Sequence, residues 1–350
     1  MILKLKGWFQ ERLPVSGEQI RELTNEPVPN HMKHWWFCLG GTPAFLFLLQ
    51  IVTGILLSFY YSPSTLTAYE SVKYISESVP YGHYIRGLHK WGATFFIASI
   101  ILHQMRVYFS GAYRYPREIN WMIGMCILLC STVLGFTGYS LIYEQLSFWG
   151  ATVGANIADS IPFIGPLMKK VLLGGEAYNA NTINRFFILH AAVLPCVLAV
   201  LLFIHISILR IQGISELEFS SDKKQKNKVF NFFPDHLFTE IIMALILMIL
   251  LSALTTLFPA HLGEKANPLI TPEMIKPEWY FYTVFRWLKL FSGTFAVLST
   301  GFIIFLMFSW PFIDSWFRRK TKYQEASVWI GLFSVLIIIS LTAWEALVVH

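Results

Sequence analysis

The chain reads as an all-α membrane protein with seven transmembrane helices, a four-helix bundle followed by a three-helix part. Three observations predict this. First, 55% of its 350 residues are apolar and only 14% charged, with a mean hydropathy of +0.53, so the polar surface is too small to clothe a water-soluble globule. Second, a spanning helix needs ~20 mainly apolar residues, and seven stretches qualify: about 35–60 (A), 88–108 (B), 120–142 (C), 186–211 (D), 238–258 (E), 293–315 (F) and 327–349 (G). Third, no segment alternates apolar and polar residues at every second position, which disfavours a barrel.

Residues 1–34 are charged throughout and lack both an apolar core and a small-residue cleavage site, so they read as an amphipathic lead-in rather than a signal peptide. Span A opens at Trp35-Trp36-Phe37-Cys38. Seventeen of the 27 Lys and Arg flank the side of the membrane that carries the N-terminus, which predicts a cytoplasmic N-terminus. The net charge of +6 needs only anionic lipid headgroups as partners and gives no sign of nucleic acid. Spans A to D make a first domain, 35–215. A lysine-rich stretch follows, so 216–237 reads as a cytoplasmic linker to a second domain, 238–350, that carries spans E to G. The C–D connection, with Pro162 and Pro166 around short apolar pieces, predicts one or two helices lying on the surface. The E–F connection is rich in proline and then aromatic, and predicts a segment folded back on the bundle. Cys38, Cys126, Cys130 and Cys196 all fall inside predicted helices and offer no disulfide framework.

Four histidines carry the chemistry. His89 and His103 on B are fourteen residues apart, and His190 and His205 on D fifteen. At about 100° and 1.5 Å per residue, each pair returns to roughly one face, offset by about −40° and +60°, with its two members ~21–22 Å apart along the helix. B and D run in the same direction, so His89 meets His190 at the outer level and His103 meets His205 at the inner one. Opposed imidazoles across a bundle are what axial ligation of an iron porphyrin requires, and buried polar groups at membrane depth are costly enough to be functional as a rule. Gly40 and Gly54 on A, and Gly124 and Gly138 on C, are again fourteen apart. They put a small residue at each level, where a flat macrocycle must approach the backbone. Arg86, Lys90, Arg106, Arg117 and Arg210 lie near the two levels or the helix ends, where cations can meet propionates. Asp235 and Glu240, at the inner start of span E, are candidates for a proton relay.

These residues resemble the cytochrome b family of quinol-oxidising complexes, and the b6f type in particular. The resemblance runs through FCLGG (37–41), IRGLHKW (85–91), HQMRVYFSGAYRYPREINW (103–121), GYSLIYEQLSFWG (138–150), NRFFILHAAVLP (184–195), HISILRIQGIS (205–215) and LGEKANPLITPEMIKPEWYF (262–281). The first four spans look like cytochrome b6 and the last three like subunit IV, fused into one chain. By this resemblance, His89 and His190 hold an outer haem b, His103 and His205 an inner haem b, and the four arginines contact propionates or line an inner quinone site. Pro277-Glu278-Trp279-Tyr280 stands at the quinol-oxidation motif. Chemistry alone supports Glu278 there as a proton acceptor for quinol, with Tyr280 hydrogen-bonding beside it. The resemblance also implies a Rieske iron–sulfur protein, a c-type cytochrome acceptor, a homodimeric complex in the bacterial inner membrane or a thylakoid, and proton translocation. Where relatives have Pro-Trp, this chain has Ile142-Tyr143, followed by Glu144, a second carboxylate near the outer site. Cys38 matches the cysteine that, in b6-type proteins, holds a third haem (c_i or c_n) by one thioether. Two other readings stay open: a dihaem membrane anchor of another quinone-linked dehydrogenase, and a haem-free transporter.

Overall fold

The computed structural model describes residues 27–29, 35–215, 229–291, 293–321 and 325–348. The expected amphipathic lead-in, apart from 27–29, and residues 216–228 of the expected linker lie outside them. A 3-10 turn, Trp35–Gly40, leads into α1 (Gly41–Ser58). Next come α2 (Ala68–Glu77), α3 (Gly82–Phe109) and α4 (Glu118–Ser140). Two short helices, α5 (Gln145–Asp159) and α6 (Gly165–Leu173), form the C–D connection as expected. Helix α7 (Ala180–Ile188) passes through a π turn, Leu189–Val193, into α8 (Leu194–Gln212), forming one continuous rod of 33 residues. The second part comprises α9 (Leu237–Leu257), α10 (Tyr282–Leu290), α11 (Gly293–Lys320) and α12 (Ala326–Leu347).

Among the described residues, six helical stretches are long and apolar enough to cross a membrane: α1 with its lead from Cys38, α4, α7–α8, α9 with its preceding turn, α11 and α12. The predicted span B is α3, 28 residues long, whose Arg86, His89, Lys90, His103 and Arg106 make it more polar than the others. It begins six residues before the apolar stretch because Arg86 finds protein acceptors: its guanidinium donates to the carbonyls of Ala260 and His261, at 2.6 and 3.1 Å. One expectation needs correction. Two short strands do exist: β1 (Pro27–Pro29) pairs antiparallel with β2 (Val229–Asn231), Val28 opposite Phe230. Residues 229–236, assigned to the linker, are therefore structured, continuing through a turn, Phe232–His236, into α9.

Helix α1 packs on α3 and α4 on α8; the second part attaches through α9 against α3 and α11 against α4. Leu46, Phe47, Phe96, Ile97, Leu198 and Leu251 form the central core. Apolar packing has little drive inside a lipid bilayer, so directional contacts fasten the parts. Trp121 donates to the Met307 carbonyl (2.8 Å), Tyr108 to the Ser327 carbonyl (2.7 Å) and Trp310 to the Tyr113 hydroxyl (3.1 Å). Beside them Arg114 Nε meets Asp314 Oδ2 at 2.9 Å, with both side chains largely shielded from solvent. Fully buried Glu345 in α12 similarly receives Lys289 at 3.1 Å and Arg286 at 3.6 Å, pinning α10 down.

The E–F connection is stitched to the C–D connection and to Tyr69 of α2. The Gly263 amide donates to Glu144 Oε2 (2.7 Å), Gln145 N to the Glu264 carbonyl (2.8 Å), Ala266 N to the Tyr143 carbonyl (3.2 Å) and Tyr69 to the Gly263 carbonyl (2.8 Å). Tyr143 adopts a left-handed φ of 56°. Its ring is buried between Phe148 and Tyr178.

Removing one partner of a buried ion pair leaves the other uncompensated, at a cost of about 3–5 kcal/mol. Asp314→Ala should therefore lower the thermal unfolding temperature of the purified protein, and the double change Arg114→Met with Asp314→Leu should recover most of the loss. Equal melting of the single variant and the parent would contradict the role assigned to the pair.

Candidate functional site

The four histidines meet in pairs. The rings of His89 and His190 lie 6.1 Å apart with their planes at 76°, and those of His103 and His205 lie 6.4 Å apart at 77°. Two imidazole–metal bonds of about 2 Å each plus the two ring half-widths amount to a similar separation. Among the described residues no group of three or more His, Cys, Asp or Glu side chains converges on one point. Two opposed donors without others suit a metal that brings its own equatorial ligands, as an iron porphyrin does.

Hydrogen bonding fixes which ring nitrogen is available at the first level. Thr53 Oγ1 gives its proton to the Leu49 carbonyl (2.7 Å) and so accepts from His89 Nδ1 at 2.8 Å. His190 Nδ1 faces the Leu134 carbonyl at 3.1 Å and Thr137 Oγ1 at 3.3 Å; Thr137 in turn donates to the Val133 carbonyl. A carbonyl only accepts, so Nδ1 carries the proton in both rings and Nε2 keeps its lone pair, the tautomer of a metal-ligating histidine with its outer-shell partner. At the second level, His103 Nδ1 lies 3.5 Å from an Arg106 amino group. The buried His205 ring faces the Asn120 backbone, short of full hydrogen-bond geometry at Nδ1.

Each of the four glycines lies against one of the histidines. A Cβ added at Gly54 would stand 3.3 Å from His89 Cε1, at Gly40 3.7 Å from His103 Cε1, at Gly124 3.8 Å from His205 Cε1 and at Gly138 only 2.5 Å from His190 Cε1. Helix A glycines thus face helix B histidines, and helix C glycines face helix D histidines, which follows from the pairing of α1 with α3 and of α4 with α8.

A cavity of about 530 Å³ opens at the second level. His103, His205, Gly40, Gly124, Arg106, Arg117 and Arg210 line it, together with His236 and Glu240. Arg117 reaches the carbonyls of Gln212 and Gly213 at 3.4 Å, Arg210 stacks on Phe232 at 4.7 Å, and His236 Nε2 lies 3.4 Å from Glu240 Oε1. Cys38 is fully buried in the turn that α9 packs against, two residues from the cavity wall. Next to it, the Glu240 carboxylate closes on Gly41. Arg86 stands apart from the other arginines, committed to the E–F connection.

The Pro277–Tyr280 motif sits at the other end of the bundle. Glu278 is extended and opens a one-turn 3-10 helix, Trp279–Phe281, with the Phe281 amide donating to its carbonyl at 2.9 Å. Burial raises the Glu278 carboxyl above the usual carboxylate range, Lys90 draws it back, and Glu144 pushes it up again. Tyr280 packs over Gly135, where an added Cβ would lie 2.7 Å from its hydroxyl, and its phenol is also held up by burial. Trp279 is partly exposed. Glu144 serves as the N-cap of α5 in a reciprocal capping box with Ser147, while its Oε2 holds Gly263. This carboxylate therefore fastens the connection that carries Glu278. The sequence reading missed Thr53 and Thr137, although a signal existed: Thr-Gly occurs at 53–54 on A and again at 137–138 on C.

Comparison with known proteins gives a consistent result. The family described as cytochrome b/b6/petB matches residues 23–213, and that described as cytochrome b(C-terminal)/b6/petD matches residues 265–349. Cytochrome b6 of Heliomicrobium gestii is 41% identical over 209 residues, covering 60% of this chain and 98% of its own. The cytochrome bc complex cytochrome b subunit of Chlorobaculum thiosulfatiphilum is 34% identical over 339 residues, covering 95% of this chain and 78% of its own. Among solved structures, a chain of a hyperthermophilic respiratory Complex III superposes with a TM-score of 0.83 at 27% identity, over 98% of this chain and 92% of that one.

The glycine contacts make a graded prediction. Gly138→Ala should push the His190 ring aside and lower porphyrin absorbance per chain, whereas Gly124→Ala, in ordinary van der Waals contact, should leave it unchanged. Equal pigment content in both variants would show that the close approach at Gly138 is not needed.

Proposed function

The chain belongs to the cytochrome b family, with the b/b6 part and the C-terminal b6/petD part in one polypeptide, and from that premise we propose how its residues oxidise quinol and return electrons across the membrane. It is an integral membrane cytochrome b of a bc-type electron-transport complex. In the proposed arrangement seven helices cross the bilayer, α3 among them. The N-terminus is cytoplasmic, and 216–237 joins the 35–215 and 238–350 domains. The setting is a bacterial inner membrane, with a thylakoid as the alternative. A Rieske iron–sulfur protein and a c-type cytochrome complete the complex, which forms a homodimer.

His89 and His190 hold an outer haem b through Nε2, and His103 and His205 an inner one. The observation that carries this is the pair of matching ring separations together with the Nδ1 bonds to Thr53 and Leu134, which leave a lone pair on Nε2 of both rings. When bound, the two haems b carry one electron at a time between the two levels. Quinol docks beside Glu278, whose partly buried carboxylate accepts a quinol proton and turns it toward the outer water, with Tyr280 closing the crevice. One electron of the quinol would pass to the Rieske partner and onward to the c-type cytochrome, and the second would enter the haems b held by the histidine pairs. At the inner level Arg106, Arg117 and Arg210 present positive charge to propionates and to the quinone that fills the cavity, and Glu240 with His236 brings protons from the cytoplasmic side. Cys38 holds a third haem by one thioether at that cavity, supported by its place beside Gly40 and Gly41 in the wall. The two readings left open by sequence, a dihaem anchor and a haem-free transporter, leave the match over 265–349 without an explanation.

The reduced-minus-oxidised spectrum of the purified protein should show b-type haem, and His103→Ala should remove one haem. Because Glu278 must ionise to accept a proton and its carboxyl is raised, quinol oxidation should climb with pH through that ionisation. Glu278→Gln should abolish this limb and slow turnover about 100-fold or more with both haems retained; unchanged turnover would remove Glu278 from the mechanism. Haem staining of the denatured chain should give a band that Cys38→Ser eliminates, and an unstained parent chain would rule out the thioether.

A further inference from the structure

The two histidine pairs pose a register problem that the helices must solve. On α3 the spacing is fourteen residues and on the α7–α8 rod it is fifteen. In uninterrupted α-helices those spacings differ by about 100° of rotation, so a rod that aims His190 at His89 would turn His205 well away from His103. Yet the two levels have almost the same geometry, 6.1 Å at 76° and 6.4 Å at 77°.

The π turn Leu189–Val193 resolves the mismatch. The Leu194 amide donates to the Leu189 carbonyl, five residues back rather than four. Such a turn takes up one extra residue without advancing the face of the helix, so fifteen residues do the work of fourteen. Pro195 follows immediately and has no amide to give to the Ala191 carbonyl, which removes the α-helical alternative at that step. A proline does not dictate a π turn by itself: Pro311 sits inside α11, which stays α-helical throughout. What distinguishes the Pro195 site is the histidine spacing on either side of it.

We propose that Pro195, through the π turn it enforces, is the positioning residue that brings the His190–His205 spacing into register with His89–His103. This rests on the bis-histidine haem reading above. The test uses the intact complex with three changes in the α7–α8 rod: Pro195→Ala, deletion of Ala192, and both together. The readouts are haem b content per chain and the low-spin ferric EPR signals, whose anisotropy follows the angle between the two imidazole planes. Pro195→Ala is expected to shift the signal of the His89–His190 haem while that of the His103–His205 haem stays in place. Deletion of Ala192 alone should lose one haem, and the combination, a regular helix with fourteen-residue spacing, should recover both. A merely structural proline would make the combination no better than the deletion. That outcome, or an unchanged spectrum in Pro195→Ala, overturns the proposal. A parent protein without b-type haem would instead sink the underlying haem reading.

Discussion

One requirement runs through the outer half of the bundle: the Nδ1 protons of His89 and His190, buried at membrane depth, must be accepted by the protein if the two rings are to stay aimed. The Thr53 hydroxyl and the Leu134 carbonyl meet that requirement, and much of the fold can be derived from it. The acceptors come from α1 and α4, so these helices must lie within hydrogen-bond distance of α3 and α8. Close approach of that kind needs residues without side chains, and Gly54 and Gly138 stand directly after the two threonines. The order of the bundle, α1 on α3 and α4 on α8, is therefore the geometry in which His89 and His190 each find both an acceptor and a gap, and His103 and His205 a gap.

The second part of the chain is organised around a different need, that of holding a carboxylate in a partly buried crevice. Glu278 lies on a single 3-10 turn with little intrinsic stability. Its position derives from the Glu144 cap, the Tyr143 and Tyr69 contacts and the Arg86 guanidinium, all of which hold the connection before it. Arg86 and Glu144 thus spend their charges on backbone groups of 260–263, and the carboxylate that fastens this connection also raises the Glu278 carboxyl. Fastening and tuning are done by the same group.

Much of this was legible in the sequence. Hydropathy marked the six helices long and apolar enough to cross among the described residues, and histidine and glycine spacing marked the two levels and the helices that bear them, because period and rise are fixed properties of an α-helix. Span B, read as a seventh apolar stretch, is a 28-residue helix whose histidines and arginines leave it more polar than the six helices long and apolar enough to cross among the described residues. What sequence could not supply was set by contacts between distant segments: the acceptors of the Nδ1 protons, the stitching of Glu144 to Gly263, the ribbon between 27–29 and 229–231, and the commitment of Arg86 to the E–F connection. The π turn was hidden for another reason. A fifteen-residue spacing is compatible with either a rotated ligand or an irregular helix, and only the two equal ring geometries decide between them.

The vertical separation of the two levels has an electrical consequence. At ~21 Å along the helix axes, it amounts to roughly two thirds of a hydrocarbon layer about 30 Å thick. A unit charge carried between the levels therefore works against that share of the membrane potential, about 1.5 kcal/mol for each 100 mV. On the proposed electron path, the fourteen-residue step between His89 and His103 would thus set how strongly the voltage of an energised membrane opposes the electron's return, and so the gearing between chemistry and stored potential.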